Sequence, residues 1–88
     1  YSAANSFVMF LKGLPQVTIV GDTTGGGAGM PFSSELPNGW AVRFSACPMF
    51  NRHMQLTEMG IAPDVKVDIT PSDYQRGVDT ILETAIDL

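Results

Sequence analysis

From Gly21 to Gly29 the chain reads GDTTGGGAG, five glycines in nine residues. Ordering a backbone this free costs more entropy than helix or strand geometry returns, so the stretch is a loop. Regular elements must therefore end before it and resume after it. Immediately upstream, QVTIVG (16–21) is short, β-branched and apolar on both faces, the composition of a strand buried in the middle of a sheet. Further upstream, Ala3, Phe7, Phe10, Leu11 and Leu14 share one face of a helix predicted over residues 2–12, with Gly13 ending it before Pro15. Helix followed by buried strand is half of an αβ unit.

Downstream, Asn38-Gly39 sits between alternating residues and predicts a hairpin turn, with Leu36, Trp40, Val42 and Phe44 as its buried anchors. Residues 47–60 lack a period and read as an irregular surface segment. Val65, Val67 and Ile69 then occupy one face of a last strand. Thr70-Pro71-Ser72-Asp73 carries a hydroxyl cap, a first-turn proline and an acid three residues after the cap, so a short helix begins there and ends at Gly77. Asp79 caps a second helix whose apolar stripe is Ile81, Leu82, Ala85 and Ile86. The element pattern is α/β.

With 88 residues, 44% apolar and 16% charged, the chain is one small domain at most and is expected to pack a core. A net charge of -4 with five scattered Lys and Arg excludes a polyanion-binding footprint, so neither nucleic acid nor an anionic membrane is expected as a partner. Cys47, the single cysteine, rules out an internal disulfide or a multi-cysteine metal site and reads as a buried thiol. No apolar run approaches the roughly 20 residues of a membrane span. The chain opens at Tyr1 without Met, apparently inside a motif, which leads to the expectation of a piece of a longer protein.

Ser2 begins the helix, and two readings fit it. As an N-cap it is worth about 1 kcal/mol. As a nucleophile it sits where unpaired N–H groups and the positive helix end stabilise an oxyanion, with the Ala3 amide a natural donor. His53, the single histidine, is the only local general base near neutral pH, although it lies in an irregular polar segment beside Asn51 and Arg52. Lys12 reads as a solvated side chain and Asp64 as a turn former or cap. The glycine loop lacks a GxGxxG register and a following GK[ST], and Pro31 opposes a helix opening from it, so phosphate binding finds little support. The five methionines are scattered and do not make a metal box.

The order SAAN, apolar helix, strand, GDTTGGGAG, ELPNGW and TEMGIAPDVKV resembles the C-terminal half of the family S41 serine peptidases, the tail-specific or C-terminal processing peptidases and their tricorn-like relatives, over nearly the whole chain. The resemblance implies a crotonase-like ββα domain with Ser2 as nucleophile and Ala3 supplying an oxyanion-hole amide. Glu58, in TEMGIAPD, matches the downstream glutamate that helps orient the site. In the Ser-Lys type the lysine base falls in the loop, at the position of Gly27, where no lysine stands. The GGG branch is instead similar to the tricorn type, whose histidine base precedes the serine and would lie outside these residues. This implies a peptide or protein substrate, no cofactor and no metal, and an isolated segment that is inactive for want of a base. Relatives are commonly exported to the bacterial envelope or periplasm, while tricorn-like ones are cytosolic. A rival of another class is a non-catalytic binding module of the same fold, similar to retinoid-binding repeats, with the apolar helix face and Trp40 lining a ligand cleft. Exposed apolar surface would also permit pairing with a second copy.

Overall fold

Helix α1 covers Ala3–Leu11, between Ser2 at its N-cap and Lys12 at its C-cap, whose N–H donates to the Val8 carbonyl. The computed structural model describes all residues, 1–88. After α1 the chain runs extended into β1 (Val20–Gly21), crosses the glycine loop, and forms the hairpin β2 (Met30–Glu35) and β3 (Ala41–Cys47). An irregular stretch with one bridge, Phe50 to Leu56, leads to β4 (Val65–Lys66), α2 (Pro71–Arg76) and α3 (Thr80–Ile86). The elements form an α/β arrangement with two separate two-stranded sheets, parallel β1-β4 and antiparallel β2-β3.

The local signals became the elements they specify. The Thr70 hydroxyl accepts the Asp73 N–H, Pro71 opens α2 and Gly77 closes it. Asp79 accepts from the Ile81 and Leu82 N–H groups at the start of α3. Leu36 and Trp40 close the hairpin around Asn38-Gly39 through the Leu36 N–H to Trp40 carbonyl bond of 2.8 Å. The ladder aligns Phe32 with Phe44, whose rings meet at 5.5 Å, a cross-strand aromatic pair.

Burial departs from the expectations. A core was expected, yet only 6 of 88 residues are buried, and the apolar ones besides glycine are Ala28 and Ile61. The molecule is a slab of 56 × 34 × 14 Å with a radius of gyration of 17.3 Å. A compact domain of this length has a radius of about 12 Å. The hairpin packs beneath no second layer, so the expected anchors Leu36, Trp40 and Phe44 are exposed and Val42 only half-buried. Cys47, expected inside, is an exposed thiol at the end of β3. Strand QVTIVG shrinks to Val20–Gly21 because it has one neighbour, not two: the Ile19 carbonyl accepts from both Asp64 and Val65. Ile69 and the stripe members Leu82 and Ile86 are exposed, while Ile81 packs over Gly21.

Helix α1 shows the same departure most sharply. Its expected inner stripe faces outward, with Phe7 63% and Phe10 64% exposed. Asn5, Val8, Met9 and Lys12, at helical spacing, make the face turned to the rest of the chain. A helix apolar on more than one side belongs between two layers, and this slab supplies one.

Candidate active site

Ser2 is held in a conformation that an L-residue avoids, φ 53 and ψ -123. Such a backbone costs about 1–3 kcal/mol and persists only where its surroundings over-determine it. Here they do. The Ser2 N–H donates to the Gly26 carbonyl at 2.9 Å, and its own carbonyl accepts the Ser6 N–H at 3.0 Å in the first turn of α1. Its side chain makes no capping bond, so the simple N-cap reading fails on geometry. The residue is exposed and lines a cleft of about 370 Å³ with Tyr1, Gly27, Gly29, Pro31, Arg43, Phe44 and Ser45. Next to it, the Ala3 N–H opens the helix and finds no acceptor in the chain. Hydroxyl and free amide thus stand together at the positive end of a nine-residue helix.

The glycine loop is the clamp that fixes this arrangement. Gly26 and Gly27 have φ +70 and +69, and a Cβ on Gly26 would collide with the Glu58 carbonyl, one on Gly27 with the Tyr1 ring. Glu58 holds the loop with two acceptors: its carbonyl takes the Gly27 N–H at 2.9 Å and its Oε2 the Ala28 N–H at 3.1 Å. Glu58 lines a neighbouring cleft that shares Gly29 and Ser45 with that of Ser2, and it makes no hydrogen bond to Ser2 itself.

A polar hub behind the site went unnoticed in the sequence. Asn5, with 0% exposure, donates from Nδ2 to the Thr57 carbonyl at 3.2 Å and accepts the Thr24 hydroxyl at Oδ1. The Thr24 oxygen in turn accepts the Ile61 N–H at 2.8 Å, and Thr57 reaches the Met49 carbonyl at 3.2 Å. Helix α1, the glycine loop and the 57–61 segment are joined through these side chains, in the place where an apolar core would otherwise stand. The available signal was Asn5 itself, an amide within an otherwise apolar helix.

The other candidates lie elsewhere. His53 lines a separate cavity of about 450 Å³ with Lys12, Arg52 and Gln55, at the far end of α1, so the structure does not bring it to Ser2. Lys12 is not simply solvated: it donates to the Ala62 carbonyl and pairs with Asp64 at 3.2 Å. Asp64 also accepts the Ile19 N–H at 2.8 Å, which acts first to hold its carboxyl below the usual aspartate range, with Lys12 second. Trp40 stands at the hairpin tip and lines none of the three clefts. No helix is long and apolar enough to cross a membrane.

A helix-borne serine is thus clamped by a glycine loop beside an open cleft, within an α/β arrangement. Comparison with known proteins gives the family. Residues 1–67 match the model of peptidase family S41, and the chain belongs to that family. It is 37% identical over 71 residues to a Sulfurisphaera tokodaii protein provisionally named a tricorn-like protease C-terminal subunit, covering 75% of this chain and 8% of that one. A crystal structure from Parabacteroides merdae, of a protein provisionally named a peptidase, matches with a TM-score of 0.92 and 61% identity over 99% of this chain. The chain spans 28% of that protein's length.

Proposed function

We propose that these residues form the C-terminal, nucleophile-bearing part of a serine peptidase catalytic domain of the crotonase-like ββα type. The observation that carries the reading is Ser2: strained at φ 53, free of any capping bond and open to a cleft. On α/β-hydrolase folds a serine nucleophile is likewise presented by a sharp, strained turn at a helix entrance, an analogy of geometry and not of fold.

In this reading the Ser2 Oγ attacks the carbonyl carbon of a peptide bond while a base takes its proton. The tetrahedral oxygen accepts from the Ala3 N–H, which has no competing partner. The C–N bond breaks, the amine leaves with the proton, and water then releases the acyl group from Ser2. Glu58 acts by fixing the glycine loop that holds the Ser2 N–H. No His, Lys, Asp or Glu side chain lines the Ser2 cleft, and the resemblance to the tricorn type implies a histidine base that lies outside these residues. That requirement agrees with the slab's uncovered apolar face and with relatives several times longer.

The test is peptide hydrolysis by the full-length protein. Ser2→Ala abolishes turnover while His53→Ala leaves it intact. Undiminished hydrolysis by the Ser2→Ala protein, with its fold confirmed by circular dichroism, overturns the assignment.

A further inference from the structure

The charges around the Ser2 cleft are distributed unevenly. Of the five cationic Lys and Arg side chains, Lys12 pairs with Asp64, Lys66 with Asp22 and Arg76 with Asp73. Arg43 and Arg52 have no carboxylate within ion-pair distance. Arg43 is the only charged side chain lining the cleft that holds Ser2. On β3 it lies two residues from Ser45, so both side chains share the hairpin face on which Pro31, the cross-strand partner of Ser45, also lines the cleft. Ser45 in turn packs against Gly29 of the clamping loop. The acid on the same hairpin face, Glu35, is two positions beyond Arg43's partner Ser33, toward the turn, and forms no ion pair with it. Glu58 is occupied with the Ala28 N–H in the adjoining cleft.

Within these residues, of net charge -4, a guanidinium without a carboxylate partner therefore lines the cleft of the candidate nucleophile. Guanidinium binds carboxylate through two parallel N–H···O bonds, a geometry that a neutral amide does not match. Resting on the peptidase reading of Ser2, we infer that Arg43 is a specificity residue that selects peptides carrying a carboxylate close to the scissile bond. That carboxylate is an Asp or Glu side chain.

Two experiments separate this inference from the reading beneath it. The first uses the full-length protein and octapeptides in pairs: Glu against Gln scanned along the sequence, and free C-terminus against C-terminal amide. The wild type favours the carboxylate member by about tenfold to a hundredfold in kcat/KM, the range of a charge-assisted bond pair. A preference carried by the terminal pair and not by the Glu scan overturns the inference. Arg43→Gln removes the preference while hydrolysis of the neutral member and fluorophosphonate labelling of Ser2 persist. Arg43→Lys restores part of it, and Arg43→Glu transfers it to peptides with Lys at the same position, which a merely structural arginine would not do. The second experiment measures binding of the same fluorescent peptides to the Ser2→Ala protein, where no hydrolysis is needed. There the carboxylate preference again disappears with Arg43→Gln. Equal binding of carboxylate and amide members by the Arg43 protein, or an undiminished preference in Arg43→Gln, overturns the inference whether or not Ser2 proves catalytic.

Discussion

Ser2 makes the capping and nucleophile readings give opposite predictions at the scale of one residue. A capping serine loses about 1 kcal/mol on mutation to alanine. Because Ser2 makes no capping bond and sits at φ 53, we expect Ser2→Ala to leave thermal stability unchanged and Ser2→Gly to raise it by about 1 kcal/mol, as strain is released. Both lose at least about 10⁴-fold in kcat. Calorimetry and peptide hydrolysis on the same samples check the pair. Asn5 makes the contrasting prediction. Truncating it to alanine leaves the Thr24 hydroxyl without its acceptor and the Thr57 carbonyl with only the Gly60 N–H, at a cost of about 1–3 kcal/mol measured by urea unfolding. The hydroxyl at the helix entrance was legible in the sequence. Its backbone strain was not, since that is imposed by the Gly26 carbonyl, a contact that only folding creates.

Among the elements, those whose signals are local came through intact and those that need neighbours did not. Thr70, Pro71 and Gly77 settle α2 within one turn, and Asp79 does the same for α3. Residues 16–21 have the composition of a central strand, yet pairing depends on what lies alongside, and Val20–Gly21 meets only Val65–Lys66. The face of α1 that turns inward was misjudged for a related reason: both faces are apolar enough, and the hub at Asn5 decides between them. The glycine loop is the element most sensitive to change. Gly26→Ala forces a Cβ into the Glu58 carbonyl at positive φ, and we expect a loss of more than about 2 kcal/mol together with peptidase activity. An unchanged melting temperature for that variant contradicts the clamp. Acid acts on other latches. Asp22, held low chiefly by Lys66, Asp64 chiefly by the Ile19 N–H, and Asp73 chiefly by the Thr80 hydroxyl all have carboxyl groups below the usual range. A depressed folded value contributes stability above the unfolded pKa and loses it as pH falls through the folded one. Lys66, raised chiefly by the bond it donates to Asp22, contributes below its ordinary value and loses that only in strong alkali. Denaturant midpoints are thus expected to be flat from about pH 5 to 9 and to decline below about pH 4. Asp64→Asn makes the decline shallower.

As a whole molecule the slab is too thin to be its own interior. Its radius of 17.3 Å, its few buried residues and the outward aromatic face of α1 mean that folding of this segment alone leaves most of its apolar surface in water. Composition gave no warning, because 44% apolar residues suit a self-sufficient core as well as a layer of a larger one. We expect the 88-residue polypeptide expressed alone to bind hydrophobic dyes and to sediment as associated species, and a monodisperse compact monomer would count against the layered assembly. The central claim concerns the Ser2 oxygen, and adduct mapping reaches it most directly. The full-length protein is treated with a fluorophosphonate, digested, and the modified peptide sequenced by mass spectrometry. The adduct is predicted on Ser2, absent from Ser2→Ala and unaffected by His53→Ala. An adduct on Ser45 instead, or none from folded protein that cleaves peptides, contradicts the account.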